Sequence, residues 1–302
     1  TALTAAPPDP MASLGRLRGR LNSFRSASTT ASNGLLAHEA HGEDRGNGRT
    51  AFLLHGLLGA GRNWRTFAKG LRERLGAEEW RIVLVDLRGH GGSAEIGATG
   101  TGTGTGTVRD AARDVDDLAR ALGAPSVVIG HSLGGKVALE YSKLATVAAT
   151  QVWSLDSVPG KVSGDDAHGV QEVVDAVRRL PARIPSRRWL ARELSPQFSS
   201  AMIDWIGSNL RNVGDELEFV WNIDTVRDLY GSYRNTDSWH SLEAPRSDMF
   251  VVKAENSTRW SPECIERLKS TSTKFMELPR AGHWLHTDNP DGLMEFIVGE
   301  IR

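Results

Sequence analysis

Cysteine is almost missing from this chain. A single residue, Cys264, stands among 302, so no internal disulfide can form and a disulfide-stapled scaffold is excluded; a lone thiol suits a reducing compartment. No apolar run approaches the roughly 20 residues needed to span a bilayer, so no integral membrane segment is expected. An excess of either charge is missing too. With 36 basic against 37 acidic residues and a net charge of −1, nothing calls for a nucleic-acid partner. What is present, 39% hydrophobic and 24% charged residues, makes a globular chain long enough for one large domain carrying an insertion.

Acidic residues are absent locally as well. None occurs from Met11 to His38, where Arg16, Arg18, Arg20 and Arg25 sit among serines, threonines and alanines. That composition is the one used by organelle transit peptides. Residues 1–33 are therefore expected to be a disordered extension that addresses the protein to an organellar matrix, mitochondrion ahead of chloroplast because arginine dominates. Without such a signal the expected compartment is the cytoplasm. The Thr-Gly alternation from Thr99 to Thr107 cannot pack a core and is expected to be a surface loop.

Between these segments, short β-branched runs alternate with amphipathic stripes. Leu35–His41, Thr50–Leu54, Arg81–Asp86, Val127–Ile129 and Gln151–Asp156 read as strands. Trp64, Phe67, Leu71 and Leu75 mark one helix; Val108, Ala111, Val115, Leu118 and Leu122 mark another, with Gly123 placed to end it. Buried-type strands that alternate with helices imply a mostly parallel, doubly wound sheet of about eight strands. Residues 34–302 form this α/β domain, and a helical cap without convincing strands interrupts it at about 161–243. Asp248–Ala254 and Lys274–Leu278 then resume the sheet.

The strongest chemical signal is Gly130-His131-Ser132-Leu133-Gly134, which follows a strand and opens a helix. In that context Gly-x-Ser-x-Gly is a nucleophile elbow: the chain reverses sharply and leaves the serine Oγ exposed at its tip. Side chains at Gly130 and Gly134 would collide there. A serine at its free pKa is a poor nucleophile and needs a base. His283, in the Gly-His-Trp turn after the last strand, is the choice, with His286 one helical turn on as its rival.

Gly130-His131-Ser132-Leu133-Gly134-Gly135-Lys136, His55-Gly56-Leu57-Leu58-Gly59 and Gly282-His283-Trp284-Leu285-His286 together resemble the α/β-hydrolase superfamily. Within it they are similar to the YbfF-type esterases and abhydrolase-domain-eleven-like proteins, including plant and algal members. The resemblance implies a Ser-His-Asp triad with Asp156, after the sixth strand, as the orienting acid; Glu255 is the alternative, because Ser257 stands where most superfamily members have aspartate. It also implies an oxyanion hole from the backbone N–H groups of Leu57 and Leu133, with His55, Gly56 and His131 beside it to touch substrate. Arg88 and His90 are expected to pin their own turn, and Lys136 to be structural. The expected substrate is a small-molecule carboxylic ester or thioester, cleaved through an acyl-enzyme, with no cofactor and no metal. Arg178, Arg179, Arg183, Arg187, Arg188 and Arg192 crowd the cap; the plain reading is a solvated helix face, the sharper one attraction of an anionic substrate. A different class of function, a ligand receptor of the same fold that turns over once or never, stays open at this point. Oligomeric state is not legible.

Overall fold

The computed structural model describes residues 26–29, 34–44, 49–97, 106–162 and 170–301. The targeting expectation falls almost wholly on residues outside this set, as does most of the Thr-Gly loop. Ten strands and eleven α-helices lie among the described residues. The strands are β1 (Ser26–Thr29), β2 (His38–His41), β3 (Arg49–Leu54), β4 (Trp80–Val85), β5 (Val127–His131), β6 (Gln151–Leu155), β7 (Leu210–Val213), β8 (Glu216–Phe219), β9 (Asp248–Ala254) and β10 (Lys274–Leu278). The helices are α1 (Arg65–Leu75), α2 (Val108–Leu122), α3 (Leu133–Leu144), α4 (Val170–Arg179), α5 (Arg187–Leu194), α6 (Ser200–Gly207), α7 (Ile223–Asn235), α8 (Trp239–Glu243), α9 (Pro262–Lys269), α10 (Leu285–Asp288) and α11 (Pro290–Glu300).

Eight strands form one sheet in the order β1-β2-β4-β3-β5-β6-β9-β10. The first three pair antiparallel and the rest parallel. Successive residues of a strand face opposite sides, and here both sides are covered. Phe52, Leu54, Val83 and Val85 pack against α2 and α3, while Ala51, Leu53, Ile82 and Leu84 pack against α1 and α11. Continuous apolar runs are the consequence.

Two elements differ from the sequence expectations. Ser26–Thr29, placed above in a structureless extension, pairs with His38–His41 and becomes the sheet edge. Its Ser-Ala-Ser-Thr has no hydrophobic alternation to announce it; the unpaired backbone groups of β2 supply the reason to bind it. Inside the cap, β7 and β8 form a hairpin where only helices were expected. Val213 pairs with Glu216, so Gly214-Asp215 is a two-residue turn; only Gly214 has positive φ (62°), the type II′ signature.

The cap otherwise follows expectation, with α4 to α8 between β6 and β9. It has its own apolar core of Val173, Val174, Leu190, Ile206, Leu217 and Trp221, and that core includes Leu58 from the loop after β3. Cap packing and the geometry of that loop are thereby coupled.

Candidate active site

Among the described residues, four that are not glycine have positive φ: Leu58 (59°), Ser132 (53°), Asp156 (42°) and Arg280 (54°). Each lies on a loop leaving the carboxyl end of a strand, namely β3, β5, β6 and β10. Such conformations cost roughly 1–3 kcal/mol each and persist where the surroundings over-determine them. The strain marks one edge of the sheet, where ligands bind in folds of this kind.

At Ser132 the cause is visible. Its N–H extends the ladder to the Leu155 carbonyl (2.9 Å) before α3 begins one residue later. A Cβ on Gly130 would lie 2.0 Å from the Gly134 carbonyl oxygen, and one on Gly134 2.5 Å from that of Leu54. Backbone would have to move in either case, so the two glycines are required by close approach.

Ser132, His283 and Asp156, on three different loops, meet. The Ser132 hydroxyl lies 3.1 Å from His283 Nε2, and His283 Nδ1 lies 2.7 Å from Asp156 Oδ2. Because a carboxylate accepts, Nδ1 carries the proton, leaving Nε2 free to take one from Ser132. Asp156 is fully buried. Burial raises its pKa, but hydrogen bonds from His283, Trp260 and Ser257 outweigh that and hold the carboxyl below its usual range. Trp260 Nε1 donates to Oδ1 at 2.8 Å, the Ser257 hydroxyl to Oδ2 at 3.0 Å. Burial is also the main reason that the pKa of His283 is lowered; Asp156 opposes it, and the charge of Arg259 adds to it.

The rivals lie elsewhere. Glu255 is exposed and accepts the Arg280 N–H at 2.6 Å, which supports the positive-φ turn ahead of His283. His286 stacks on Trp64, ring centroids 3.9 Å apart and planes 14° from parallel, and burial pushes its pKa down to about 4.

Leu133 follows Ser132 in the chain, and Leu57 lies on the loop after β3, next to Gly56. Among the described residues, the backbone N–H of neither has an intramolecular acceptor. The loop carrying Leu57 is held by two histidines acting reciprocally. His55 Nδ1 donates to the Gly56 carbonyl (2.7 Å) and Nε2 accepts from Leu87 N–H (3.0 Å). His90 Nδ1 donates to the Arg88 carbonyl (2.9 Å) and Nε2 accepts from Leu58 N–H (3.1 Å). Each loop thus anchors the other, and burial keeps both rings neutral, with pKa values of about 4 and about 3.

This arrangement corrects two expectations. His55, expected to touch substrate, is 1% exposed with both ring nitrogens engaged, so it pins the loop instead. His131 is corrected likewise: it is 3% exposed and donates from Nε2 to the His283 carbonyl at 2.6 Å, which holds the His283 turn. Gly56 does border Ser132, since a Cβ there would lie 3.3 Å from Ser132 Cβ. Trp260 escaped the sequence reading, and Ser257 entered it only as the residue in the usual place of the aspartate, because an irregular loop has no period from which side-chain direction can be read. The six crowded cap arginines are all exposed; Arg178, Arg183 and Arg192 pair with Asp224, Glu218 and Glu193, which is the solvated face. Among the described residues no group of three or more His, Cys, Asp or Glu could hold a metal.

Lys136, in the first turn of α3, is fully buried and donates to three carbonyls: Gly160 (2.8 Å), Tyr233 (2.9 Å) and Thr236 (3.1 Å). It joins the elbow helix to the C-terminal end of α7, where a cation is favoured. Burial draws its pKa down to about 8. Lys136→Met leaves those carbonyls without their donor and is expected to cost about 2–3 kcal/mol; urea unfolding checks it, and an unchanged midpoint contradicts the tether.

Comparisons with known proteins agree with this architecture. The chain is similar to the sn-1-specific diacylglycerol lipase ABHD11 of Mus musculus, 25% identical over 256 residues that cover 82% of this chain and 78% of the lipase. Its fold is similar to that of a marine microorganism esterase (TM-score 0.74, 21% identity, covering 88% of this chain and 99% of the esterase). It is also similar to that of an esterase of M. tuberculosis (TM-score 0.64, 21% identity, 91% of each chain). Residues 51–296 match the alpha/beta hydrolase family, and with most of its length inside that match and its sheet wound in that order, the chain belongs to the alpha/beta hydrolase family.

Proposed function

We propose that the protein is a serine hydrolase that cleaves carboxylic esters or thioesters. Ser132 Oγ attacks the acyl carbon while His283 Nε2 takes its proton. Asp156 holds the imidazole tautomer and stabilises the imidazolium. The developing oxyanion accepts from the Leu57 and Leu133 N–H groups. Collapse breaks the ester or thioester bond, and His283 returns the proton to the departing oxygen or sulfur. Water, deprotonated by the same imidazole, then releases the acid and restores Ser132. The observation that carries this reading is the continuous hydrogen-bond chain from the strained Ser132 through His283 to a buried, charged Asp156. Relatives named as lipase and esterase support the ester chemistry.

Hydrolysis of p-nitrophenyl butyrate tests it. Repeated turnover is expected; a single burst of nitrophenol, or binding alone, favours a receptor. The same assay fixes the sign of the pH dependence. His283 works only when neutral, so kcat/KM rises with pH through its pKa. Because that pKa is lowered from the ordinary 6.5, the rising limb is expected to have its midpoint below pH 6.5. A midpoint above 6.5 contradicts the buried, neutral base. Delivery to an organellar matrix is also proposed, on the composition of residues 11–38; a reporter fused to that segment tests it, with diffuse cytosolic signal as the contrary result.

A further inference from the structure

Helix α6 of the cap reaches both loops that carry the chemistry. Just past its C-terminal end the Ser208 carbonyl accepts from Arg62 Nη2 at 2.8 Å. Arg62 lies in the 3₁₀ turn Gly61–Trp64, at the end of the post-β3 loop that also holds Leu57. The Gly207 carbonyl accepts from Arg187 of α5, so that end is fastened to the cap as well. On the same helix, the Trp205 ring lies 6.1 Å from the Trp284 ring, centroid to centroid, with planes at 45°. Trp284 directly follows His283, and those two ring centroids are 6.3 Å apart. The helix thus spans from the loop of the oxyanion donor to the loop of the base.

Trp284 is 42% exposed, the one exposed large hydrophobic residue among the described residues. A single surface tryptophan calls for no explanation by itself; this one is singled out by its neighbours. His283 has Asp156 at Nδ1 and the His131 ring 4.6 Å away, and both of those residues are buried. Trp284 is its exposed neighbour. Trp205 is half-buried and packs against the apolar core of the cap. Two indole rings therefore stand beside the base, one from the sheet domain and one from the cap, and both keep apolar surface open.

Chemistry decides which part of a substrate meets them. In acyl transfer the carbonyl oxygen turns to the oxyanion donors, while the departing atom comes within reach of His283 Nε2, which protonates it. The departing group therefore lies at the His283 end of the site, where the two rings are. We propose that Trp205 and Trp284 bind the leaving group, so that the protein selects esters or thioesters whose alcohol or thiol carries an apolar chain or ring. The assignment rests on the serine hydrolase chemistry proposed above and adds to it the nature of the leaving group.

Initial rates of the full chain on a matched set of esters test it. Hexyl butyrate and ethyl butyrate form the same acyl-enzyme and differ by four methylenes in the leaving group; ethyl octanoate carries those four in the acyl chain instead. The parent is expected to show a kcat/KM about tenfold higher for hexyl than for ethyl butyrate, the gain from partial burial of the added methylenes. Trp284→Ala, at an exposed position that does not endanger folding, is expected to bring that ratio down to about twofold, and Trp205→Ala likewise. Trp284→Phe is expected to retain more of the ratio than alanine does. The ratio of ethyl octanoate to ethyl butyrate is expected to be the same in parent and variants. A parent without preference for hexyl butyrate, a hexyl-to-ethyl ratio unmoved in folded Trp284→Ala, or a loss confined to the octanoate ratio overturns the proposal. Equal loss on all three esters leaves both ratios unmoved, marks a merely structural role, and overturns it too. Hydrolysis without preference among alcohols leaves the serine hydrolase assignment standing, whereas turnover of none of the three removes that assignment and this one together.

Discussion

Ser132→Ala is expected to abolish ester hydrolysis while the protein stays folded. Only one hydroxyl oxygen is removed, and its hydrogen-bond partner is His283 Nε2, so packing is barely touched. Positive φ at this position (53°) is no harder for alanine than for serine. The chemistry, however, has no substitute nucleophile. Members of such a triad act as a unit, and loss of the serine costs on the order of 10⁶ in kcat. Residual activity within tenfold of the parent enzyme, measured on protein whose circular dichroism is unchanged, contradicts the assignment.

The second large effect separates two carboxylates. Asp156→Asn keeps the shape of the side chain but removes the charge that His283 faces at 2.7 Å. It also invites the wrong imidazole tautomer, because an amide can donate to Nδ1. The equivalent change in serine proteases costs about 10⁴ in kcat, and a loss of at least a few hundredfold is expected here. Glu255→Gln is expected to cost less than tenfold, because Glu255 contacts the Arg280 N–H and not the imidazole. If Glu255→Gln proves the more damaging, the acid lies after β9 rather than after β6. Ser257→Asp in the Asp156→Asn background is a sharper probe. Ser257 already reaches Asp156 Oδ2 at 3.0 Å, so a carboxylate at 257 starts close to the imidazole, and partial recovery is expected.

Much of this site could be read from sequence because the constraints on it are local. The elbow needs glycine where backbone approaches backbone, as the contacts at Gly130 and Gly134 demonstrate. The strand runs are continuous because both sheet faces are covered, so β3 to β6, β9 and β10 announce themselves. Other features depend on tertiary partners. Nothing in Ser26–Thr29 predicts a strand until β2 offers an edge. The cap hairpin has a turn at Gly214-Asp215 and alternation in Glu216–Phe219, but its strands are only four residues long, with two apolar residues in each. His55 and His131 illustrate the opposite failure. A histidine near Ser132 suggests contact with substrate, yet burial and hydrogen bonds to backbone make one a loop pin and the other a support for the His283 turn. Sequence spacing carries no information about which way such rings turn.

The most direct test of the central claim is covalent. A fluorophosphonate ester reacts with a serine only when a base activates it and amides stabilise the phosphoryl oxygen. Incubation followed by peptide mass spectrometry is expected to place one adduct, on the peptide containing Ser132, with labelling slowed at least a hundredfold by His283→Ala. An adduct on another serine, or full esterase turnover by protein that remains unlabelled at Ser132, contradicts it.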